Sequence, residues 1–375
     1  MNAILIIIAS LYLLLIGGLT VGMFKVNPFV LKPYPPNIKF SIVIALRNES
    51  ANLKALLQSI KNLNYLSEYF EVLLINDESN DNSLEIITDG LRDLNLLNVE
   101  VFNNKRITNA PKKDAIKTGI ENAKFEWILT TDADCILPED WLSNFNSFIQ
   151  EEHPSMIVSP VTYHEISSFL DHFQILDFLS LQGATIGGFG INCPFLCNGA
   201  NFAYTKSLFS KVDGFKGNTK IASGDDVFLM EKALKHEDEK VSYLKSKQQL
   251  VLTRPESSFS KLVQQRKRWA SKSTHYSNYF GKVTGLIVLM MNFIVVVYPL
   301  GLIFSFFNLK LFLLIFSVKL VVDFALIYFT ASLFDQKKYL KSYFISCIIY
   351  PFFVIFISIS SLFSNYKWKQ RTFSK

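Results

Sequence analysis

The apolar residues of this chain are gathered at its two ends. Ile4 to Phe24 form a nearly uncharged run, and Val283 to Phe307, Leu311 to Phe334 and Tyr343 to Phe363 form three more. Each matches the roughly 20 residues an α-helix needs to cross the hydrocarbon core of a bilayer. The stretch between them has an ordinary soluble composition. The sequence therefore predicts an N-terminal transmembrane anchor over 1–25, a linker over 26–39 containing Pro33-Tyr34-Pro35-Pro36, a catalytic-sized soluble domain over 40–275, a C-terminal transmembrane bundle of about three helices over 283–363, and a basic tail over 364–375. The first run lacks a basic leading region, which favours a retained anchor over a cleaved signal.

Charge sets the expected orientation. Lys25, Lys32 and Lys39 follow the first run, and Lys261, Arg266, Lys267, Arg268 and Lys272 precede the second, so the positive-inside bias places the soluble domain in the cytoplasm; the membrane expected for such a chain is a bacterial inner membrane. The loop Asp335 to Lys341 agrees. The tail does not, because three crossings would carry Lys367, Lys369, Arg371 and Lys375 outside. Two explanations stand open: one late segment is re-entrant or interfacial, or the weak C-terminal charge signal is overridden. Within one span, Lys319 and Asp323 stand four apart, spaced to pair on a helix face or to mark a polar cavity. The net charge of +6 is accounted for by a basic belt against anionic lipid and calls for no nucleic-acid partner. Cys135, Cys193, Cys197 and Cys347 lack metal-site spacing and are expected as reduced thiols.

In the middle of the chain, strand-like and helix-like patterns alternate. Phe40 to Leu46 reads as a buried strand, followed by a helix with Leu53, Leu56, Leu57, Ile60 and Leu63 on one face and Asn48 or Ser50 as cap. Phe70 to Ile75 is a second strand, and Leu84, Ile87 and Leu91 mark a second amphipathic helix. A short strand near Val99, a helix over Pro111 to Ala123 and a strand from Trp127 follow. This alternation predicts a mixed, mostly parallel sheet with crossover helices. Beyond it the pattern predicts a helix over Pro138 to Ile149, a strand over Met156 to Tyr163, a helix over Ser168 to Leu181, loops and short strands over Gly183 to Asn201, and a helix over Val227 to Lys235.

Polar residues cluster where such strands end. Trp127-Ile-Leu-Thr-Thr ends in Asp132-Ala133-Asp134, and two carboxylates at i and i+2 in a turn can face one hard cation, Mg²⁺ or Mn²⁺, that also takes phosphate oxygens. Asp77 follows the second strand, where nucleotide-binding sheets use a carboxylate to accept from a base or ribose. Asp225 and Asp226 open a helix, favourable for its dipole and equally suited to removing a proton from a substrate hydroxyl. In Gln265-Arg266-Lys267-Arg268-Trp269, Arg268 can meet phosphate charge and Trp269 can pack against an acceptor or anchor the chain at the interface. No glycine-rich dinucleotide or P-loop pattern is present.

Taken in order, these stretches resemble the membrane-bound family 2 glycosyltransferases. The match runs from about Phe40 to Trp269 and implies the glycosyltransferase A-type (nucleotide-diphospho-sugar transferase) α/β fold. Ser41 to Glu49 is similar to the family's opening strand, carrying Leu46, Arg47 and Glu49 into the donor site. Asn76-Asp77 resembles its nucleobase-contacting strand end, although Glu78 replaces the usual glycine. Lys112, Ala115 and Gly119 resemble its Lys-x-x-Ala-Leu-x-x-Gly helix. The resemblance implies that Asp132 and Asp134 bind metal and that Asp226 is the general base, with Asp225 standing where glutamate is usual. It implies that Gln265, Arg268 and Trp269 form the Gln-x-x-Arg-Trp motif. The implied reaction is inverting transfer from a nucleoside-diphosphate sugar, with a UDP-sugar favoured, to a lipid-linked or glycan hydroxyl. Two other readings are a nucleotide-sugar-binding membrane scaffold without turnover, which would need neither Asp226 nor Arg268, and a processive polysaccharide synthase.

Overall fold

The computed structural model describes residues 2–273, 275–303, 308–363, 366–369 and 371–373. Helix α1 (Asn2–Lys25) leads into β1 (Phe40–Leu46), α2 (Leu53–Lys61), β2 (Phe70–Asn76), α3 (Ser83–Asp93), β3 (Val99–Asn103), α4 (Pro111–Asn122), β4 (Trp127–Thr130) and α5 (Trp141–Glu152). Then come β5 (Met156–Val158), β6 (Val161–Tyr163), α6 (Phe169–Gly190), β7 (Phe202–Thr205), α7 (Lys206–Lys211), α8 (Asp225–Ala233), β8 (Val241–Tyr243) and β9 (Val251–Thr253). The chain closes with α9 (Phe259–Ser273), α10 (Tyr279–Ile303), α11 (Leu309–Leu333), α12 (Tyr343–Phe363), β10 (Tyr366–Trp368) and β11 (Arg371–Phe373).

Seven strands form one sheet in the order β3-β2-β1-β4-β7-β5-β8. Strands β1 to β4 are parallel, β7 runs antiparallel between β4 and β5, and β8 is parallel to β5. The expected mixed, mostly parallel sheet is thus present. Helices cover it on both faces, which is why β1 and β2 are apolar runs rather than alternating ones: Ile42, Ile44, Val72, Leu73 and Leu74 are fully buried. Each such side chain contributes about 1.5–3 kcal/mol by leaving water. The β1–β2 ladder runs one step past β2, where the Asp77 N–H donates to the Leu46 carbonyl at 2.9 Å, so Asp77 is fixed at the carboxyl rim of the sheet.

Several local expectations need correction. The strand expected over Met156 to Tyr163 is two strands in different sheets: β5 joins the main sheet, whereas β6 pairs with β9, and Pro160, with no N–H to donate, stands between them. Helix α5 starts at Trp141 and α8 already at Asp225, so both acids belong to its first turn. Asn48 and Ser50 do not cap α2. Its cap position is Asn52, with no side-chain bond, and Asn48 takes a left-handed conformation and accepts from the Asn80 N–H at 2.9 Å. The largest departure is α6, which continues through Gly183 to Gly190, a stretch expected as loop. Here tertiary packing overrides propensity. A Cβ on Gly183 would collide with Thr330 of α11, one on Gly187 with the Leu19 carbonyl and one on Gly190 with the Gly22 carbonyl, so these glycines let three helices approach closely.

Four helical stretches are long and apolar enough to cross a membrane: Asn2–Lys25, Tyr279–Leu302, Leu309–Leu333 and Lys337–Phe363. Phe304 to Phe307, the end of one expected span, lie outside the described residues. The last helix differs from the others in what its ends touch. Before it, Gln336 donates to the Tyr163 carbonyl at 3.0 Å, and Ser342 meets His172 of α6 at 2.6 Å. After it, Lys369 and Arg371 reach the rim of the main sheet. In between, Phe353 and Ile357 pack on Phe173, Leu262 and Val263, while Ile345, Ile348, Phe352, Phe356 and Ile359 face outward. Helix α12 therefore packs both on α9 of the soluble domain and on the apolar helix α10.

Candidate active site

Twelve of the residues singled out from the sequence line one cavity of about 1380 Å³: Leu46, Arg47, Glu49, Asp77, Lys112, Asp132, Asp134, Asp225, Asp226, Gln265, Arg268 and Trp269. The carboxyl ends of β1, β2 and β4 form one wall, as parallel sheets place their ligands. The start of α8 and the body of α9 form the other. From there the cavity extends between α1, α6, α10, α11 and α12.

Asp132 and Asp134 sit in the turn after β4, and Asp132 is part exposed to the cavity. Lys112 ties the two walls together, its Nζ lying 2.7 Å from Asp132 Oδ1 and 3.4 Å from Asp225 Oδ2. Burial alone would favour the neutral amine, but Asp132 and Asp225 hold Lys112 well above its ordinary pKa. Asp134 is crowded by its own kind: burial, then Asp132 and Glu49, push its carboxyl up to about 7. The pair is a hard oxygen donor set suited to Mg²⁺ or Mn²⁺, and a cation there would relieve the crowding. Among the described residues no cluster of three or more metal-binding side chains is present, so any cation would need phosphate or water oxygens to complete its shell.

Asp226 has the opposite electrostatics. Burial would raise its pKa, yet Lys272, Lys112 and the N–H groups of Val227 and Gly199 hold it below the ordinary value. Val227 N–H donates to Oδ1 at 2.7 Å and Gly199 N–H to Oδ2 at 3.0 Å, and Lys272 Nζ is 3.6 Å from Oδ1. A Cβ on Gly199 would lie 3.2 Å from Asp225 Oδ2, so a larger residue there would push that carboxylate aside by a few tenths of an ångström. Upstream of α8, Lys113 anchors the approach loop by donating to the Asn218 and Ile221 carbonyls, both at 2.8 Å, over the Phe228 ring. Burial pulls its pKa down to about 8.

At the far rim, Asp77 is buried and accepts from Asn104 Nδ2 at 2.7 Å, with Arg106 at 3.5 Å and Arg371 in direct contact. Arg371 also pairs with Glu78 at 2.6 Å, and Lys369 with Glu49 at 2.6 Å. The tail expected as membrane-flanking charge thus folds back as the β10–β11 hairpin and neutralises three carboxylates of the rim; Lys375 lies outside the described residues. On α9, Gln265 donates to Glu256 at 3.0 Å, and Arg266 is buried with its Nε 2.7 Å from Asp177. The Arg266 guanidinium lies 4.1 Å over the Trp269 ring, so one face of the expected acceptor-packing residue is already covered.

Sequence reasoning did not find Lys272, Lys113, Gly199, Lys369 and Arg371. Lys272 had a signal, lying one helical turn beyond Arg268 on the same face. Lys369 and Arg371 had none, being about as far from their partners as the chain allows.

Residues 41–212 match the sequence model of glycosyl transferase family 2, and residues 127–359 that of glycosyl transferase family group 2. The chain belongs to the glycosyl transferase family group 2. This group 2 chain is 28% identical over 146 residues to the poly-beta-1,6-N-acetyl-D-glucosamine synthase of Staphylococcus epidermidis, covering 38% of this chain and 33% of the synthase. It is 38% identical over 101 residues to the undecaprenyl-phosphate 4-deoxy-4-formamido-L-arabinose transferase of Aeromonas hydrophila, covering 27% of this chain and 30% of that enzyme. The match thus spans about a third of these curated relatives. Among solved structures, the mannosyltransferase PcManGT of Pyrobaculum calidifontis, in complex with GDP-Man and Mn²⁺, superposes with a TM-score of 0.56 at 14% identity over 96% of this chain and 99% of its own. That similarity establishes a shared glycosyltransferase A-type fold.

Proposed function

We propose that this group 2 glycosyltransferase moves a sugar, with inversion, from a nucleoside-diphosphate sugar, a UDP-sugar in preference, to a hydroxyl of a lipid-linked or glycan acceptor at the membrane face. One observation carries the reading: Asp134, Asp226 and Arg268 line a single cavity that opens towards apolar helices. The rim around Asp77 takes the nucleoside, the carboxylate accepting from the base or ribose. Asp132 and Asp134 hold Mg²⁺ or Mn²⁺, which when bound offsets charge on the diphosphate. Arg268 adds a fixed planar cation for the same oxygens.

On the acceptor side, Asp226 is ionised, because Lys272 and two N–H groups favour its charged form. It takes the proton of the acceptor hydroxyl as that oxygen bonds to the anomeric carbon and the bond to the diphosphate breaks, its electrons leaving with the phosphate. General-base assistance of this kind is worth roughly 100-fold to 10,000-fold. Lys112, shared between Asp132 and Asp225, keeps the donor and acceptor walls in register. A scaffold that only binds sugar nucleotide has no use for an ionised base held by three donors.

The structure also bears on the membrane. We assign α1, α10 and α11 as crossings and α12 as an interfacial helix, which leaves the basic tail on the side of the soluble domain, expected to be cytoplasmic. This accords with the positive-inside bias. The test of function is direct: detergent-solubilised protein is incubated with a panel of nucleotide sugars and Mn²⁺ or Mg²⁺ while nucleotide release is monitored. Release from one or a few donors, absent in Asp134→Ala, is expected. No release and no binding of any nucleotide sugar would remove the assignment.

A further inference from the structure

The C-terminal hairpin β10–β11 has no part in the transfer as described above, yet it closes on the donor end of the cavity. Strand β10 packs on α9, the helix that carries Gln265 and Arg268, while the basic residues beyond it reach across to the carboxyl rim of the sheet. Lys369 Nζ lies 2.6 Å from Glu49 Oε1, and Arg371 pairs with Asp77 and, at 2.6 Å, with Glu78. Arg47, just past β1, joins the two parts, donating to the Asp77 carbonyl at 2.6 Å and to the Lys369 carbonyl at 3.4 Å.

Two observations separate a wall from a plug. Of the described tail residues, Lys369 lines the cavity and Arg371 does not, so with the hairpin docked the cavity still opens onto Arg47, Asp77, Asp132 and Asp134. The second is the backbone of Lys369, whose φ of +46° lies in the left-handed region that glycine and asparagine fill at least cost. A lysine there gives up backbone ease and brings a cation to the cavity wall instead.

Charge indicates what that cation serves. Glu49, Asp77, Asp132 and Asp134 crowd one end of a cavity that, on the reading above, receives a diphosphate, and like charges close together oppose one another. A bound metal ion would answer the last two. Lys369 and Arg371 answer the first two from the far end of the chain. An ammonium carries three N–H donors, so Lys369 has more to give than its contact with Glu49 uses. We propose that the hairpin is the closing wall of the donor site, in which Lys369 binds the diphosphate while Arg371 and Arg47 position it by docking the tail. The inference rests on the transferase reading given above and adds a donor-binding residue to it.

The test uses the full chain in nanodiscs at pH 8 with saturating Mn²⁺. UDP and GDP are each titrated beside their monophosphate and their free nucleoside. Lys369→Asn, which removes the charge and suits the left-handed backbone, should weaken the diphosphate about tenfold, the lower end for one hydrogen bond to a charged group, and the nucleoside less than about twofold. Lys369→Arg should recover most of that loss. Truncation after Phe363 should act in the same direction as Lys369→Asn and at least as strongly. Equal loss for nucleoside and diphosphate, which a purely structural role predicts, would overturn the proposal. So would tighter diphosphate binding by the truncated chain, the mark of a plug. Because binding is read without turnover, failure of the transferase assignment would appear separately, as a wild-type chain that binds the diphosphate through Lys369 but releases no nucleotide from any sugar donor. A wild-type chain that binds no diphosphate loses both.

Discussion

The state of Asp134 leads to a measurable pH dependence of cation binding. With its carboxyl pushed up to about 7, Asp134 in the metal-free protein holds a proton at pH 6, and a cation must displace it. At pH 6 only about one molecule in ten has the carboxylate ready, so Mn²⁺ affinity is expected to be about tenfold weaker than at pH 8, and about a further tenfold weaker at pH 5. A carboxylate with the ordinary value near 3.8 would give a flat profile over this range. The sign for stability follows from the same linkage: the folded state holds a proton that the unfolded chain has lost between the ordinary range and 7. Stability of the metal-free protein therefore falls as pH rises through that window, by up to about 1.4 kcal/mol per pH unit. Asp134→Asn is accordingly expected to raise the metal-free melting temperature clearly more at pH 8 than at pH 5, where less of the window has been crossed. Mn²⁺ binding is followed by calorimetry in two buffers of different ionisation enthalpy, which counts the proton released. A binding constant independent of pH from 5 to 8, with no proton released at pH 6, would refute the reasoning. Lys369 supplies a second handle: its charge lowers the Asp134 value, so Lys369→Ala should move the midpoint of the profile upward.

Three further outcomes are expected. Asp226→Asn should reduce transfer by roughly 100-fold to 10,000-fold with nucleotide binding preserved, and near-normal turnover in a purified assay would take the base role away from it. Gly199→Ala should lower kcat with little change in UDP affinity, since its Cβ would press on the Asp225 carboxylate and not on the nucleoside rim; equal loss of both would point to general misfolding. An epitope tag placed after Phe373 should be reachable from the same side of the membrane as one in the linker near Pro35, whereas opposite accessibility would mean that α12 crosses.

Much of this molecule is legible in its residues alone. Buried strands announce themselves as unbroken apolar runs, as Phe40 to Leu46 does, and the acids that follow them fall at the sheet's carboxyl rim because strand direction and connection hand leave little choice. The order of the charged residues, from Asp77 and Asp132 after strands to Asp226 and Arg268 on helices, was enough to anticipate the lining of one cavity. Membrane-length helices are equally plain, because a long apolar segment has few other stable environments.

What the sequence left undetermined was decided by contacts between distant parts of the chain. Gly183, Gly187 and Gly190 read locally as loop, and only close approach of α1 and α11 makes them helix. Length and apolarity gave α12 the same appearance as a crossing helix, but whether it crosses depends on what its ends touch. The charges of Lys369 and Arg371 were visible from the start. Their destination was not, because an ion pair with Glu49 or Asp77 depends on the separation of two side chains in space, and their separation along the chain carries no trace of it.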